Sequence, residues 1–200
     1  AVDSTGNPVI EEKGELVCRH PFPSMPAYFW NDPDGRKYDE AYFADYPGWW
    51  HHGDYMAMTE QGGVIIYGRS DATLNIRGVR IGTAEIYRPL ESVSWILNSI
   101  AVEQRSGSDA EISLFVEVED GIELTSEREA EIRSLIRRQA SPRHVPRRID
   151  SVPAIPVTRN GKKAELAVKR IIEGDQVPNL DALANPECLD AFTKFARTES

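Results

Sequence analysis

Cysteine is nearly absent from this sequence: Cys18 and Cys188 are the only two, they lie far apart, and neither belongs to a CxxC pair. A disulfide framework is excluded, and two isolated thiols fit a reducing compartment, which points to the cytoplasm. Long hydrophobic runs are missing as well. No stretch approaches the ~18 apolar residues that a membrane span needs, so no transmembrane segment is expected. Residues 1–17 lack the basic and apolar parts of a signal peptide and start without Met, which suggests a piece of something longer. Internal repeats and low-complexity tracts are also absent. Collagen, coiled coil and knottin are therefore set aside.

What is present reads as ordinary globular protein. Two hundred residues, 40% hydrophobic and 28% charged, leave room for one or two domains with a real core. The net charge of -9 is unevenly placed: between Arg128 and Arg170 there are 12 Lys and Arg against 4 Asp and Glu, a local +8 that leaves -17 elsewhere. An acidic chain with one cationic island argues against general nucleic-acid binding, which needs a broad basic face. It suits a polyphosphate-bearing small molecule or an acidic partner, and the plain alternative is a helix with a solvated basic face.

The chain divides by pattern. GELVC at 14–18 has strand character, followed by proline-punctuated loop from Pro21 to Pro33 and a turn at Asp34-Gly35. Val64 to Tyr67, after the Gly62-Gly63 turn, reads as another strand. Beyond Asp71, Thr83 is expected to cap a helix carrying Ile86, Leu90, Val93 and Leu97 on one face. Ile112 to Val118 alternates like a strand. Ser126 and Glu129 form a capping box for a second helix that buries Ile132, Leu135 and Ile136 and turns Arg133, Arg137 and Arg138 outward. An extended piece at 149–152 precedes a third helix from Lys163 to Ile172, closed by Gly174. The expectation is an α+β fold: residues 1–70 form the β-rich edge of a larger domain, and 71–200 form a small domain with helices on one face of a sheet.

Three clusters could carry chemistry. Gly53-Asp54 puts a carboxylate on a tight turn, able to accept two hydrogen bonds at once as a ribose diol would offer them, although such an Asp commonly caps its own turn. The neighbouring His51-His52 pair is not expected to hold a metal, because adjacent residues of an extended segment face opposite ways and no third ligand follows. The run from Gly68 to Ile86 places glycines at 68, 78 and 82 beside the fork-shaped cations Arg69 and Arg80; a hairpin with turn glycines would look the same. Finally, Asn160-Gly161 presents Lys162 on a loop tip ahead of a helix, where a lysine is usually only solvated.

In order and separation, GELVC, WWHHGD, YGRSDATLNIRGVRIGTAEIY and PVTRNGKK resemble the late core motifs of the adenylate-forming acyl-CoA synthetase superfamily. The resemblance covers nearly the whole chain. It implies that Asp54 and Arg69 hold the ribose of ATP, that Asp71 is a hinge, and that Gly78 lines the pantetheine path. It further implies that Arg80 meets nucleotide or CoA phosphate, that Lys162 stabilises the adenylation transition state, and that Arg133 and Arg143 meet CoA. The implied reaction joins a short-chain carboxylate to CoA through an acyl-adenylate, with 71–200 as a mobile lid. The run GVRIGTAEIYR and the long tail QVPNLDALANPECLDAF are most similar to the acetoacetate-activating members, whereas acetate-activating relatives usually end sooner than the 38 residues that follow Lys162 here, so the resemblance implies acetoacetate as the acid. Acetate, propionate or a non-catalytic module derived from the lid are the alternatives. The superfamily's Ser/Thr/Gly-rich phosphate loop and its acyl pocket do not occur in this sequence. The resemblance thus implies a missing N-terminal domain that binds ATP with Mg2+, and no activity from this chain alone. Lys163 is expected to start its helix, face solvent and tolerate alanine.

Overall fold

The computed structural model describes residues 1–106 and 109–196, so the last residues of the expected lid, 197–200, lie outside the described residues. The chain divides into two compact units, Ala1–Asp71 and Ala72–Ser200.

The first unit is an antiparallel sheet in the order β1 (Lys13–Cys18), β2 (Trp50–Met58), β3 (Val64–Arg69). Its small core is aromatic. Trp50 is buried, stacked on Tyr42 at 3.6 Å between ring centroids and met edge-on by Phe22 at 5.4 Å. Tyr42 ends a short helix, α1 (Arg36–Tyr42), which follows directly on the Asp34-Gly35 turn. Its start is held by the Asp32 carboxylate, which accepts from the backbone N–H of Lys37 at 3.0 Å and of Tyr38 at 2.9 Å. No residue of α1 is fully buried, so no apolar period marks it in the sequence.

The second unit opens with a two-stranded hairpin, β4 (Leu74–Ile76) and β5 (Val79–Ile81), and continues through α2 (Thr83–Leu90). A second sheet follows in the order β6 (Ile96–Ser106), β7 (Asp109–Val118), β8 (Arg148–Ser151), with β6–β7 antiparallel and β7–β8 parallel. Helices α3 (Ser126–Gln139) and α4 (Glu165–Glu173) complete it, α4 ending on Gly174 with φ +83°.

The α+β class holds, but helices cover both faces of the second sheet. Ala101, Leu114 and Val116 pack with Ile86 and Leu90 of α2 and with Ile132 and Ile136 of α3. Ile100, Val102 and Phe115, their neighbours in sequence and so on the opposite face, pack with Val168 and Ile172 of α4. The 3-10 turns of the tail, Pro186–Phe195, add Leu189, Phe192 and Phe195 to that second face, with Phe192 and Phe195 centred 5.1 and 4.9 Å from Phe115.

Local expectations shift with this. Helix α2 is capped by Gly82, whose N–H donates to Glu85 Oε1 at 3.2 Å, rather than by Thr83, and it stops at Leu90. Leu97 belongs to β6 and is 59% exposed, not on a helix face. Helix α3 is capped one residue early, by Thr125, whose Oγ1 accepts from Arg128 N–H. The third helix begins at Glu165 instead of Lys163.

Candidate functional site

In the first unit, Asp54 and Arg69 face each other across β2 and β3 as register partners. The Arg69 guanidinium lies 3.6 Å from Asp54 Oδ1, donates to the His52 carbonyl at 3.1 Å and reaches Asp71 Oδ1 at 3.4 Å. The other Asp54 oxygen sits 2.7 Å from His52 Nδ1. Gly53 is required beneath this group: its φ is +80°, and a Cβ there would come within 2.7 Å of the guanidinium. The result is a carboxylate fixed by two neighbours, with lone pairs left for a diol. His52 is a member that sequence reasoning missed, though its i, i+2 spacing to Asp54 on one strand was the available signal. His51 points the other way, 3.2 Å from both Glu15 and Asp45. Among the described residues no cluster of three His, Cys, Asp or Glu could hold a metal ion.

The β4–β5 hairpin turns on two residues with positive φ, Arg77 at +51° and Gly78 at +79°, the backbone of a type I′ turn. That conformation accounts for the glycine. Within this unit a Cβ on Gly78 would touch nothing within 4 Å. Arg80 is exposed on β5.

Arg133 and Arg143 meet in an open cavity of about 840 Å³, joined among the described residues by Arg77, Arg137, Arg147 and the carboxylate of Glu111. Arg133 does not point outward as expected. It is half-buried, donating to the Pro146 and Arg147 carbonyls at 3.3 Å each and to Glu129 at 2.8 Å, which braces the cavity wall. Arg143 is exposed, next to Ser141, whose Oγ accepts from the Arg143 N–H at 3.2 Å. Five guanidinium groups around one open space suit a multiply charged anion. Arg77, Arg137 and Arg147 were hidden members, because only the fold brings 77, 133–137 and 143–147 together.

Lys162 is exposed at the end of the turn Thr158–Gly161. Its neighbour Lys163 overturns the expectation of a solvated side chain: Nζ donates to the Ser99 carbonyl at 2.6 Å and lies 3.7 Å from the centroid of the Tyr87 ring. Burial pushes its pKa down to about 8, against the opposing pull of Glu165 and Glu91. Burial also raises the pKa of Tyr87, whose hydroxyl donates to Glu165 at 3.1 Å and accepts from the Ala101 N–H at 3.0 Å.

No family model matches this chain. Among individual proteins, the acetoacetyl-coenzyme A synthetase of Rhizobium meliloti (strain 1021) is 50% identical over 195 residues, 98% of this chain and 30% of that protein. The acetoacetyl-CoA synthetase of Caenorhabditis elegans is 49% identical over 188 residues, covering 92% and 27% respectively. The solved acetoacetyl-CoA synthetase from Streptomyces lividans superposes with a TM-score of 0.91 at 41% identity, over 100% of this chain and 30% of that one. The chain resembles the C-terminal part of acetoacetyl-CoA synthetase. It spans about 30% of the length of the acetoacetyl-CoA synthetases it matches. An anthranilate CoA ligase, AuaEII, solved in complex with anthranoyl-AMP, shares the fold at a TM-score of 0.71 and 20% identity over 84% of this chain.

Proposed function

We propose that this chain is the C-terminal part of an ATP-dependent acid–CoA ligase that converts acetoacetate, ATP and CoA to acetoacetyl-CoA, AMP and pyrophosphate. The observation that carries the reading is the similarity to acetoacetyl-CoA synthetases along the whole of this chain. ATP, CoA and the carboxylate are its substrates. The rest of the ligase would hold the Mg2+ that accompanies ATP.

Each site then has a task that its chemistry fits. Asp54, fixed by His52 and Arg69, accepts the two ribose hydroxyls of ATP and then of the acyl-adenylate. Lys162 supplies an ammonium to the oxygens that gain charge as carboxylate attacks the α-phosphate and pyrophosphate leaves; no proton needs to move. The arginine cavity takes the phosphates of CoA, with Arg133 bracing and Arg143 reaching. Gly78 lies along the pantetheine path, and Arg80 meets nucleotide or CoA phosphate. Asp71, the last residue of the first unit, is the hinge about which 72–200 turns as a lid between the two half-reactions. The partner of both units is the N-terminal domain of the same protein. Two free cysteines fit a cytoplasmic setting, and no helix among the described residues is long and apolar enough to cross a membrane.

The test is a comparison of acids with the complete ligase. Acetoacetate should exceed acetate and propionate in kcat/KM for CoA thioester formation. A preference for acetate or propionate would replace the acid while keeping the reaction, and absence of any acid-dependent AMP release would remove the reaction itself.

A further inference from the structure

Both backbone polar groups of Lys162 are held by a single residue. Its N–H donates to Thr158 Oγ1 at 3.1 Å and its carbonyl accepts from the Thr158 N–H at 2.7 Å, while the Gly161 N–H closes the turn onto the Thr158 carbonyl at 2.8 Å. Where Thr158 sits therefore decides where Lys162 is presented.

Thr158 is in turn held by a segment far along the chain. It forms an antiparallel bridge with Leu183, flanked by Arg159 N–H donating to the Ala182 carbonyl at 3.0 Å and Ala184 N–H donating to the Val157 carbonyl at 2.9 Å. The bridge extends through a side chain. Asn185 Oδ1 accepts from the Val157 N–H at 2.9 Å, and its Nδ2 donates to the Ile155 carbonyl at 2.9 Å. One carboxamide thus offers the strand the donor and acceptor that a neighbouring peptide would offer. Leu183 is buried in the core with Val168, and the tail beyond it is anchored by Leu189, Phe192 and Phe195. The clamp therefore has a rigid base that does not depend on Asn185.

We propose that Asn185 is a positioning residue for Lys162, clamping Ile155 and Val157 so that the 158–162 turn is presented in one place. This rests on the reading of Lys162 given above. An ammonium that acts only on charge developing in a transition state loses its effect when misplaced by an ångström, whereas substrate affinity built elsewhere does not change.

The experiment uses the complete ligase with Asn185→Ala, Asn185→Asp and Lys162→Ala. Acyl-adenylate formation is followed by acetoacetate-dependent pyrophosphate exchange, and the second half-reaction is started from supplied acyl-adenylate. Asn185→Ala should lower kcat for adenylation by ~10–100-fold with KM for ATP unchanged. Thioester formation should be little altered. Asn185→Asp keeps the acceptor for Val157 but sets a carboxylate oxygen against the Ile155 carbonyl, so it too should lower kcat for adenylation with KM for ATP unchanged. Equal losses in both half-reactions, or none in adenylation while Lys162→Ala abolishes it, would overturn the clamp and leave the reading of Lys162 intact. Normal adenylation in both Asn185→Ala and Lys162→Ala would overturn that reading and the clamp's role with it. If Asn185→Ala does not fold, amide hydrogen exchange on Asn185→Asp decides. Faster exchange at Thr158 and Lys162 with unchanged protection at Ile172 is the expected result, and unchanged protection at all three would overturn the proposal.

Discussion

Lys163 Nζ lies 3.7 Å from the centroid of the Tyr87 ring while donating to the Ser99 carbonyl at 2.6 Å. One ammonium thus ties the approach to α4 to α2 and β6, next to a lysine that is exposed. Adjacent residues of one type are placed oppositely: the Lys163 ammonium is held within the unit and the Lys162 side chain is exposed.

Alanine substitution should separate them. Lys163→Ala leaves the Ser99 carbonyl without its charged donor and the Tyr87 face uncovered, and should destabilise the chain by ~1–3 kcal/mol. Lys162→Ala should stay within ~0.5 kcal/mol of wild type, as exposed substitutions do. Thermal or urea unfolding of the two variants checks this; equal stability would mean that the Lys163 contacts contribute nothing net.

The pH dependence of stability carries the same signature. Lys163 has its pKa lowered from 10.5 to about 8 by burial. The unfolded chain therefore binds more protons than the folded one between those values, and stability from this group rises with pH across that window. Below about pH 8 the lysine is charged in both states and its burial penalty is fully present. Lys163→Met keeps much of the stem without the charge. The unfolding free energy of wild type should gain on that of Lys163→Met as pH goes from 8 to 10.5. A constant difference over that range would contradict the buried placement.

Much of this was legible beforehand, and the failures have physical causes. Strands β1 and β3, the presence of α3 and α4 and the glycine stop at Gly174 follow from local pattern. Strand β6 does not, because both faces of its sheet are covered: Ile100, Ala101 and Val102 are consecutive and all buried, so neither alternation nor a helical period shows. Leu97 continued the period of α2 only by coincidence. Pro89 and the Ser92 hydroxyl, which donates to the Pro89 carbonyl at 2.8 Å, belong to the turn that ends that helix. The motif residues Asp54, Arg69 and Lys162 could be picked out from sequence. The partner of Lys163 and the wall of the arginine cavity could not, since the Ser99 carbonyl and the Arg77 and Arg147 side chains come from distant segments.

For CoA, the arginine cavity predicts a phosphate-specific effect. In the complete ligase, Arg143→Ala should raise KM for CoA by ~10-fold, the scale of one charge-assisted hydrogen bond, and should affect 3′-dephospho-CoA much less. Equal effects on both thiols would move the 3′-phosphate out of this cavity.

For the hinge, Asp71→Pro fixes φ and removes an N–H where the two units join. One half-reaction of the complete ligase should suffer far more than the other. Asp71→Ala, which loses only the Arg69 contact, should spare both; matched losses from the proline would count against a hinge at this position.

The most direct test of the account is acetoacetate-dependent pyrophosphate exchange by the complete ligase carrying Lys162→Ala. The predicted result is a fall of ~10²–10³ in kcat with KM for ATP nearly unchanged, the scale of a lost electrostatic stabiliser, while thioester formation from supplied acyl-adenylate persists. Exchange at the wild-type rate would contradict the assignment of Lys162, and with it the reading of this chain as the part of a ligase that completes adenylation.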